Sequence, residues 1–185
     1  MKDIDYSKYY WQNDLVRVRR SRPDDWKFHD LGYDSGERFF TDYAQELPTD
    51  ESVWRENWEN YINKNLDNDK HICIAIETLD GAYAGGGNIH GIDERNGTFG
   101  IFLGAGEDRH YLAAARLMLD FAFNERRLHK CQTGFMEGDA RNMRLFEELG
   151  FRKEGVLRGQ VFHQGRYWDD HQYGLLADEF NGAKL

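Results

Sequence analysis

Residues 15–21, LVRVRRS, alternate apolar and polar side chains, the period-two pattern of a strand with one buried face. RPDDWKFHDLGY follows, with Pro23 placed for a first helical turn and Asp24 and Asp25 behind it, where acids favour a helix start. PTDESVWRENWENYINKNL (48–66) then spaces Val53, Trp54, Trp58 and Tyr61/Ile62 at helical intervals, with Thr49 or Asp50 as the cap. HICIAIETL (71–79) reads as a strand, Asp80-Gly81 as a hairpin turn, and AYAGGGNIHGI (82–92) as the returning strand. The run Gly85-Gly86-Gly87 would weaken that strand unless another backbone or a ligand comes close, and close packing is the favoured reading.

Asp93 to Asn96 turn the chain into GTFGIFLG (97–104). From Arg109 to about Arg126 one broad face carries Leu112, Ala115, Leu119, Ala122 and Phe123, and Leu117 and Phe121 add a second stripe, so a well-buried helix is predicted. HKCQTGFME (129–137) is the next strand. A strand–helix–strand succession of this length implies a parallel pair, 97–104 beside 129–137. ARNMRLFEELG (140–150) is a short amphipathic helix closed by Gly150. Two strands near 151–163 and 167–176 end the series, joined by a turn at Gln164-Gly165. The order βααβββαβαββ predicts an α/β fold of the α+β kind, a mixed, mostly antiparallel sheet with one internal parallel pair. Residues 1–185 are expected to form a single domain, with residues 1–13 as an N-terminal extension.

Composition narrows the function. The net charge of −9 and the lack of a concentrated basic surface argue against nucleic acid; the cluster Arg17, Arg19, Arg20 and Arg22 is explained by alternation along a strand. No stretch approaches the roughly 18–20 apolar residues of a membrane span, and the first residues show no leader-like apolar core. Cys73 and Cys131, both within strand-like runs, read as buried thiols in a reducing compartment, the cytoplasm, and suggest neither a disulfide framework nor a metal site. Aromatic residues gather early (Tyr6, Tyr9, Tyr10, Trp11, Trp26, Phe39, Phe40, Trp54, Trp58), and core packing is favoured over an aromatic-walled pocket. No Gly-x-Ser-x-Gly, Cys/His nucleophile pair or His-x-x-x-His spacing is present.

Residues 138–180 carry the specific signal. Glu148-Leu149-Gly150-Phe151, Arg152-Lys153-Glu154-Gly155 and Gly165-Arg166-Tyr167-Trp168-Asp169 resemble the closing phrases of GNAT N-acetyltransferases, and more narrowly those of the RimJ/RimL-like branch. LVRVRRSRPDDW, IETLDG and NGTFGIFLG are similar to that family's opening strand and helix, its second hairpin and its fourth strand, so the resemblance spans roughly 14–180. It implies a splayed parallel strand pair that takes the pantetheine arm of acetyl-CoA as a pseudo-strand, with Ile101, Phe102 and Leu103 supplying backbone contacts. It also implies a pyrophosphate held on the amides that open the next helix, where orphan donors and the helix dipole favour an anion.

The chain departs from the family's Gln/Arg-x-x-Gly-x-Gly/Ala loop. A gapless register places GEDRHY (106–111) there; the alternative places RHYLAA (109–114), with Leu112 for the glycine and Ala114 at the last position. Neither register restores the glycines. Arg109, His110, Tyr111, Leu112 and Ala114 are thus the cofactor-binding candidates on this helix, and Asp108 is expected to act as its N-cap. In the following helix Asp139 replaces an asparagine, Asn142 takes a small-residue position, and Phe146 stands where some members use a tyrosine as general acid; Asn142 and Phe146 join the cofactor-binding candidates.

The amine must lose a proton before it attacks. Thr98 stands where relatives often carry a glutamate, and His90 should lie across the hairpin near Gly97 or Thr98, which makes these two the catalytic candidates; a simple hydrogen-bonded histidine is the competing reading. Tyr167 and Asp169 are the acceptor-side candidates, against the reading that Asp169-Asp170 merely end a strand. The expected reaction moves an acetyl group from acetyl-CoA to a primary amine, either a small molecule or a protein N-terminus, and family habit implies a homodimer. Two alternatives remain at this level: a non-catalytic module of the same fold, and an enzyme with an atypical acyl donor.

Overall fold

The computed structural model describes residues 10–28, 50–103 and 107–181, with the side chains of Phe102 and Leu103 excepted. Tyr6, Tyr9, Phe39, Phe40, most of the extension 1–13, the end of the helix expected after Pro23 and the loop residues Gly104 to Gly106 lie outside the described residues. Among the described residues seven strands form one sheet: β1 (Val16–Arg20), β2 (Ile72–Thr78), β3 (Tyr83–His90), β4 (Asn96–Leu103), β5 (Lys130–Met136), β6 (Arg152–His163) and β7 (Arg166–Leu176). Their spatial order is β1-β2-β3-β4-β5-β7-β6. Every neighbouring pair is antiparallel except β4 and β5, as the spacing predicts.

Helix α1 (Glu51–Asn65) starts at Asp50, whose carboxylate accepts from Ser52 N at 2.8 Å, a cap typically contributing about 1 kcal/mol. Pro23–Phe28 form a 3-10 helix sewn to α1 by two indoles. Trp54 Nε1 donates to the Trp26 carbonyl at 3.3 Å and Trp58 Nε1 to that of Arg22 at 3.1 Å. These tryptophans therefore join two elements. Val53, placed by periodicity on the packed face of α1, is 45% exposed instead. The arginine run at β1 is also accounted for: Arg19 makes a bidentate pair with buried Asp25 at 2.8 Å and reaches Glu77.

Helix α2 (Asp108–Asp120) continues through a π-helical turn (Phe121–Glu125), so the predicted end near Arg126 holds. Tyr111, Ala114, Ala115, Met118 and Leu119 are fully buried against the sheet, where each large apolar side chain contributes about 1.5–3 kcal/mol. Helix α3 (Ala140–Glu148) ends as its sequence dictates. Gly150 has φ +98° and donates to the Glu147 carbonyl, while Phe151 N donates to the Phe146 carbonyl, both at 3.0 Å. These two bonds and the Phe146–Phe151 ring contact at 4.8 Å constitute a Schellman ending. The phrase Glu-Leu-Gly-Phe is thus a device for stopping a helix and fixing Phe146.

Candidate active site

β4 and β5 share only three rungs: Asn96 with Lys130, Gly97 with Cys131 and Thr98 with Gln132. Beyond them β4 runs on to Leu103 and β5 to Met136 without another rung, so the facing N–H and C=O groups form the two walls of a cleft. Its closed end is level with Thr98. Its open end leads toward the start of α2.

Aromatic packing holds the walls apart on the helical side. Phe99 of β4 and Phe135 of β5 both face α3, and the Phe146 ring sits against them at centroid distances of 5.9 and 4.7 Å. Phe151 closes on Phe99 at 5.9 Å, and Phe146 is 1% exposed. The side chains line one face of the cleft. On the opposite face the first positions past the last rung are both glycine, Gly100 and Gly134, which face each other across the gap when the parallel register is continued. Polar groups from the adjoining strands overlie them. A Cβ on Gly100 would lie 3.4 Å from Asn88 Oδ1, and one on Gly134 would lie 2.7 Å from Gln172 Nε2 and 2.9 Å from Asp170 Oδ1.

His90 pairs with Thr98 in the β3–β4 ladder, at the closed end of the cleft, as the hairpin register predicts. Its Nδ1 lies 2.7 Å from Asn88 Oδ1. An amide oxygen can only accept, so Nδ1 carries the hydrogen and Nε2 keeps its lone pair. Burial lowers the affinity of this imidazole for a proton below the ordinary value, so it is neutral at neutral pH. Behind His90 stands His71, with ring centroids 5.5 Å apart, and Tyr61 of α1 places its hydroxyl 2.7 Å from His71 Nε2.

The start of α2 departs from the expectation for Asp108. The N-cap is Glu107, whose side chain makes no capping bond; Asp108 is the first helical residue. Its carboxylate reaches across to α3 instead, to Arg141 at 2.8 and 3.0 Å and to Arg144 at 2.7 Å. Glu107 pairs with Arg109 at 2.9 Å. The acids therefore leave the helix amides alone. His110 N and Tyr111 N turn back to the Glu107 carbonyl at 2.9 and 3.3 Å, and the amides ahead of them are the orphan donors that open any α-helix. Close by, His110 Nδ1 and the Tyr111 hydroxyl are buried without a partner among the described residues. Such an orphan costs about 1–3 kcal/mol unless something satisfies it.

The sequence candidates fall into groups. Ile101, Phe102 and Leu103 line the β4 wall; Arg109, His110 and Tyr111 form the first turn of α2 at the open end, followed by Leu112 and Ala114. Phe146 lies at the cleft, and Asn142 donates through N and Nδ2 to Asp139, the cap of α3. Tyr167 stands apart, 67% exposed near the tip of the β6–β7 hairpin against Phe162. Asp169 binds Gly159 N at 2.8 Å within the same hairpin. Neither Asp169 nor Asp170 ends β7, and it is Asp170 that overlies Gly134. Sequence reasoning missed Arg141, Arg144, His71, Tyr61 and Gln172. The only signal for Gln172 and Asp170 is strand alternation: they are two residues apart and share a face.

The parted strands and the orphan donors at α2 suit a thioester-bearing chain that ends in phosphates. The family profile described as acetyltransferase (GNAT) domain matches residues 16–152. The chain belongs to this family: it is an acetyltransferase, and acetyl-CoA is its co-substrate. Along 175 residues it is 29% identical to the SPbeta prophage-derived uncharacterized N-acetyltransferase YokL of Bacillus subtilis strain 168, covering 92% of this chain and 95% of that protein. It is 27% identical over 109 residues to the putative ribosomal N-acetyltransferase YdaF of the same organism, covering 57% of this chain and 60% of that one. Among solved structures, the spermidine N-acetyltransferase of Vibrio cholerae in complex with CoA and spermine superposes with a TM-score of 0.79 at 22% identity, over 90% of this chain and 98% of that one. That likeness is one of fold.

Proposed function

We propose that this protein is a RimJ/RimL-like N-acetyltransferase, a single domain that acetylates a small primary amine by direct attack on acetyl-CoA. The observation that carries the reading is the three-rung β4–β5 contact with His90 level with its last rung. Acetyl-CoA supplies the activated acyl carbon and a thiol leaving group. The main-chain groups of Ile101, Phe102 and Leu103 hold its arm, and the first-turn amides of α2 with Arg109 hold its phosphates despite a loop that lacks the family's glycines. Arg141 and Arg144, already gathered at that end by Asp108, add positive charge there.

The amine enters over the Gly100–Gly134 window, between His90 and Asn88 on one side and Gln172 on the other. His90 Nε2 takes one proton from the ammonium; the nitrogen bonds the acyl carbon and the carbon–sulfur bond breaks to release the thiolate. Phe146 has no proton to give, so the second proton shed by the nitrogen passes through water to the thiolate, which leaves as the thiol. Thr98 lines the closed end and is no base. The solved neighbour's spermine and spermidine support a small cationic amine as acceptor over a protein N-terminus, and an overall charge of −9 favours attraction of cations. We place the enzyme in the cytoplasm, as a homodimer. Among the described residues no helix is long and apolar enough to cross a membrane.

Two measurements test this reading. Acetyl-CoA should raise the melting temperature by mass action, with about 2.7 kcal/mol of stabilisation at a hundredfold excess over Kd. A panel of polyamines, monoamines and N-terminal peptides should then show transfer to the small amines. No thermal shift at millimolar acetyl-CoA overturns the donor site; transfer to peptides alone overturns the acceptor.

A further inference from the structure

Five side chains are strung together beside the closed end of the cleft. Asn88 holds His90 Nδ1 from the same strand, at 2.7 Å. His71, at the entry to β2, lies over His90 with centroids 5.5 Å apart and planes 33° from parallel. Tyr61 reaches from α1 to within 2.7 Å of His71 Nε2 and presents its ring edge-on to the His71 ring at 5.5 Å. Cys73 Sγ donates to the same Tyr61 hydroxyl at 3.5 Å. A lone surface histidine needs no such support.

We propose that His71, anchored by Tyr61, is a positioning residue that covers one face of the His90 ring and keeps that imidazole neutral and aimed at the acceptor amine. This rests on the reading of His90 as the base. The physics is that of a second imidazole in place of water. A charged His90 needs solvent or a counter-ion, and His71 excludes the first without supplying the second. Among the described residues, the titratable groups facing the pair are Tyr61 from α1, Cys73 from β2 and, through Cys73, Arg20 from β1, with no carboxylate in contact with either ring; Asn88 and Thr98 are neutral. Burial lowers the proton affinity of both imidazoles, and charge on His90 lowers that of His71 further, so the stacked rings resist carrying charge together. Tyr61 and Asn88 between them fix the two ring planes, which direct attack requires.

The test is the pH profile of kcat/KM. His90→Gln should lose about a hundredfold or more; retention of rate there overturns the base reading itself. Provided that loss is seen, His71→Ala opens the His90 ring to water, restores its ordinary basicity and moves the acid limb up by about half a pH unit, a loss of about threefold at pH 6 that fades by pH 8. His71→Phe keeps the ring covered and should return the limb to its parental position, and Tyr61→Phe should fall between. An effect confined to melting temperature and plateau rate, with the limb unmoved, overturns the proposal while leaving the base reading intact. If His71→Ala does not fold, imidazole titration by NMR in the parent protein and in Tyr61→Phe gives the same answer. Two coupled steps, with His90 below the ordinary histidine value, support the proposal; two independent titrations at the ordinary histidine value overturn it.

Discussion

β4 is gripped in two opposite ways. Toward β3 it is zipped from His90 with Thr98 to Gly85 with Leu103; toward β5 it is joined only up to Thr98. The same strand thus shows one closed seam and one open. The closed seam places glycine on one strand of four of its six rungs, and at the tightest of them a Cβ on Gly87 would stand 2.8 Å from the Gly100 carbonyl oxygen. The open seam uses the largest apolar rings available, Phe99 and Phe135 packed on Phe146. A binding cleft in a sheet is made here by stacking aromatics behind one seam and removing side chains from the other.

The contrast can be broken from the open side first. Phe146→Ala removes the ring common to Phe99, Phe135, Phe151 and Tyr111, and should cost about 3–5 kcal/mol of stability in urea denaturation, whereas Phe146→Leu, with repacking, should cost under about 1.5 kcal/mol. Equal losses for the two would mean that the cleft does not depend on the filled volume. From the closed side, Gly87→Val forces a branched side chain against main chain and should cost about 1–3 kcal/mol, with lost hydrogen-exchange protection along β3–β4 while β5–β7 keeps its own.

The smallest expected effect sharpens the comparison at the mouth of the cleft. Asp108→Asn should change stability by under about 1 kcal/mol, because the ion pairs it removes are exposed. It should lower KM for acetyl-CoA about two- to fivefold at low salt, an advantage that shrinks as salt screens the charges. A rise in KM would show that the acid is needed to hold the arginines in place. Arg144 and then Arg141 hold the Asp108 carboxyl below the ordinary value. A depressed carboxyl stabilises above its ordinary pKa and loses that contribution as pH falls through the lowered one. The two proteins should therefore converge in stability in acid below about pH 4.

Much of this was legible locally. Alternation located β1, Gly150 marked the end of α3, the glycine run announced a close backbone approach, and hairpin register set His90 opposite Thr98. Each depends on residues a few positions apart or on one ladder. The errors share the opposite character. Asp108 looked like a cap because its neighbours in sequence are helix amides, yet its partners lie 33 and 36 residues on. Asp169 looked better placed than Asp170 until β7 assigned them to opposite faces, and Val53 kept helical spacing yet is 45% exposed.

The amino-acid order by itself determined the succession of strands and helices and most of their turns, because backbone preference and side-chain period are properties of short segments, and the phrases within 138–180 carried the likeness to the family. Tertiary structure alone decided where charge and polarity go: which arginines receive Asp108, which imidazole covers His90, which two glycines face across the gap. Those choices depend on distances between segments far apart in the chain, and an electrostatic or packing energy has no value until such distances exist.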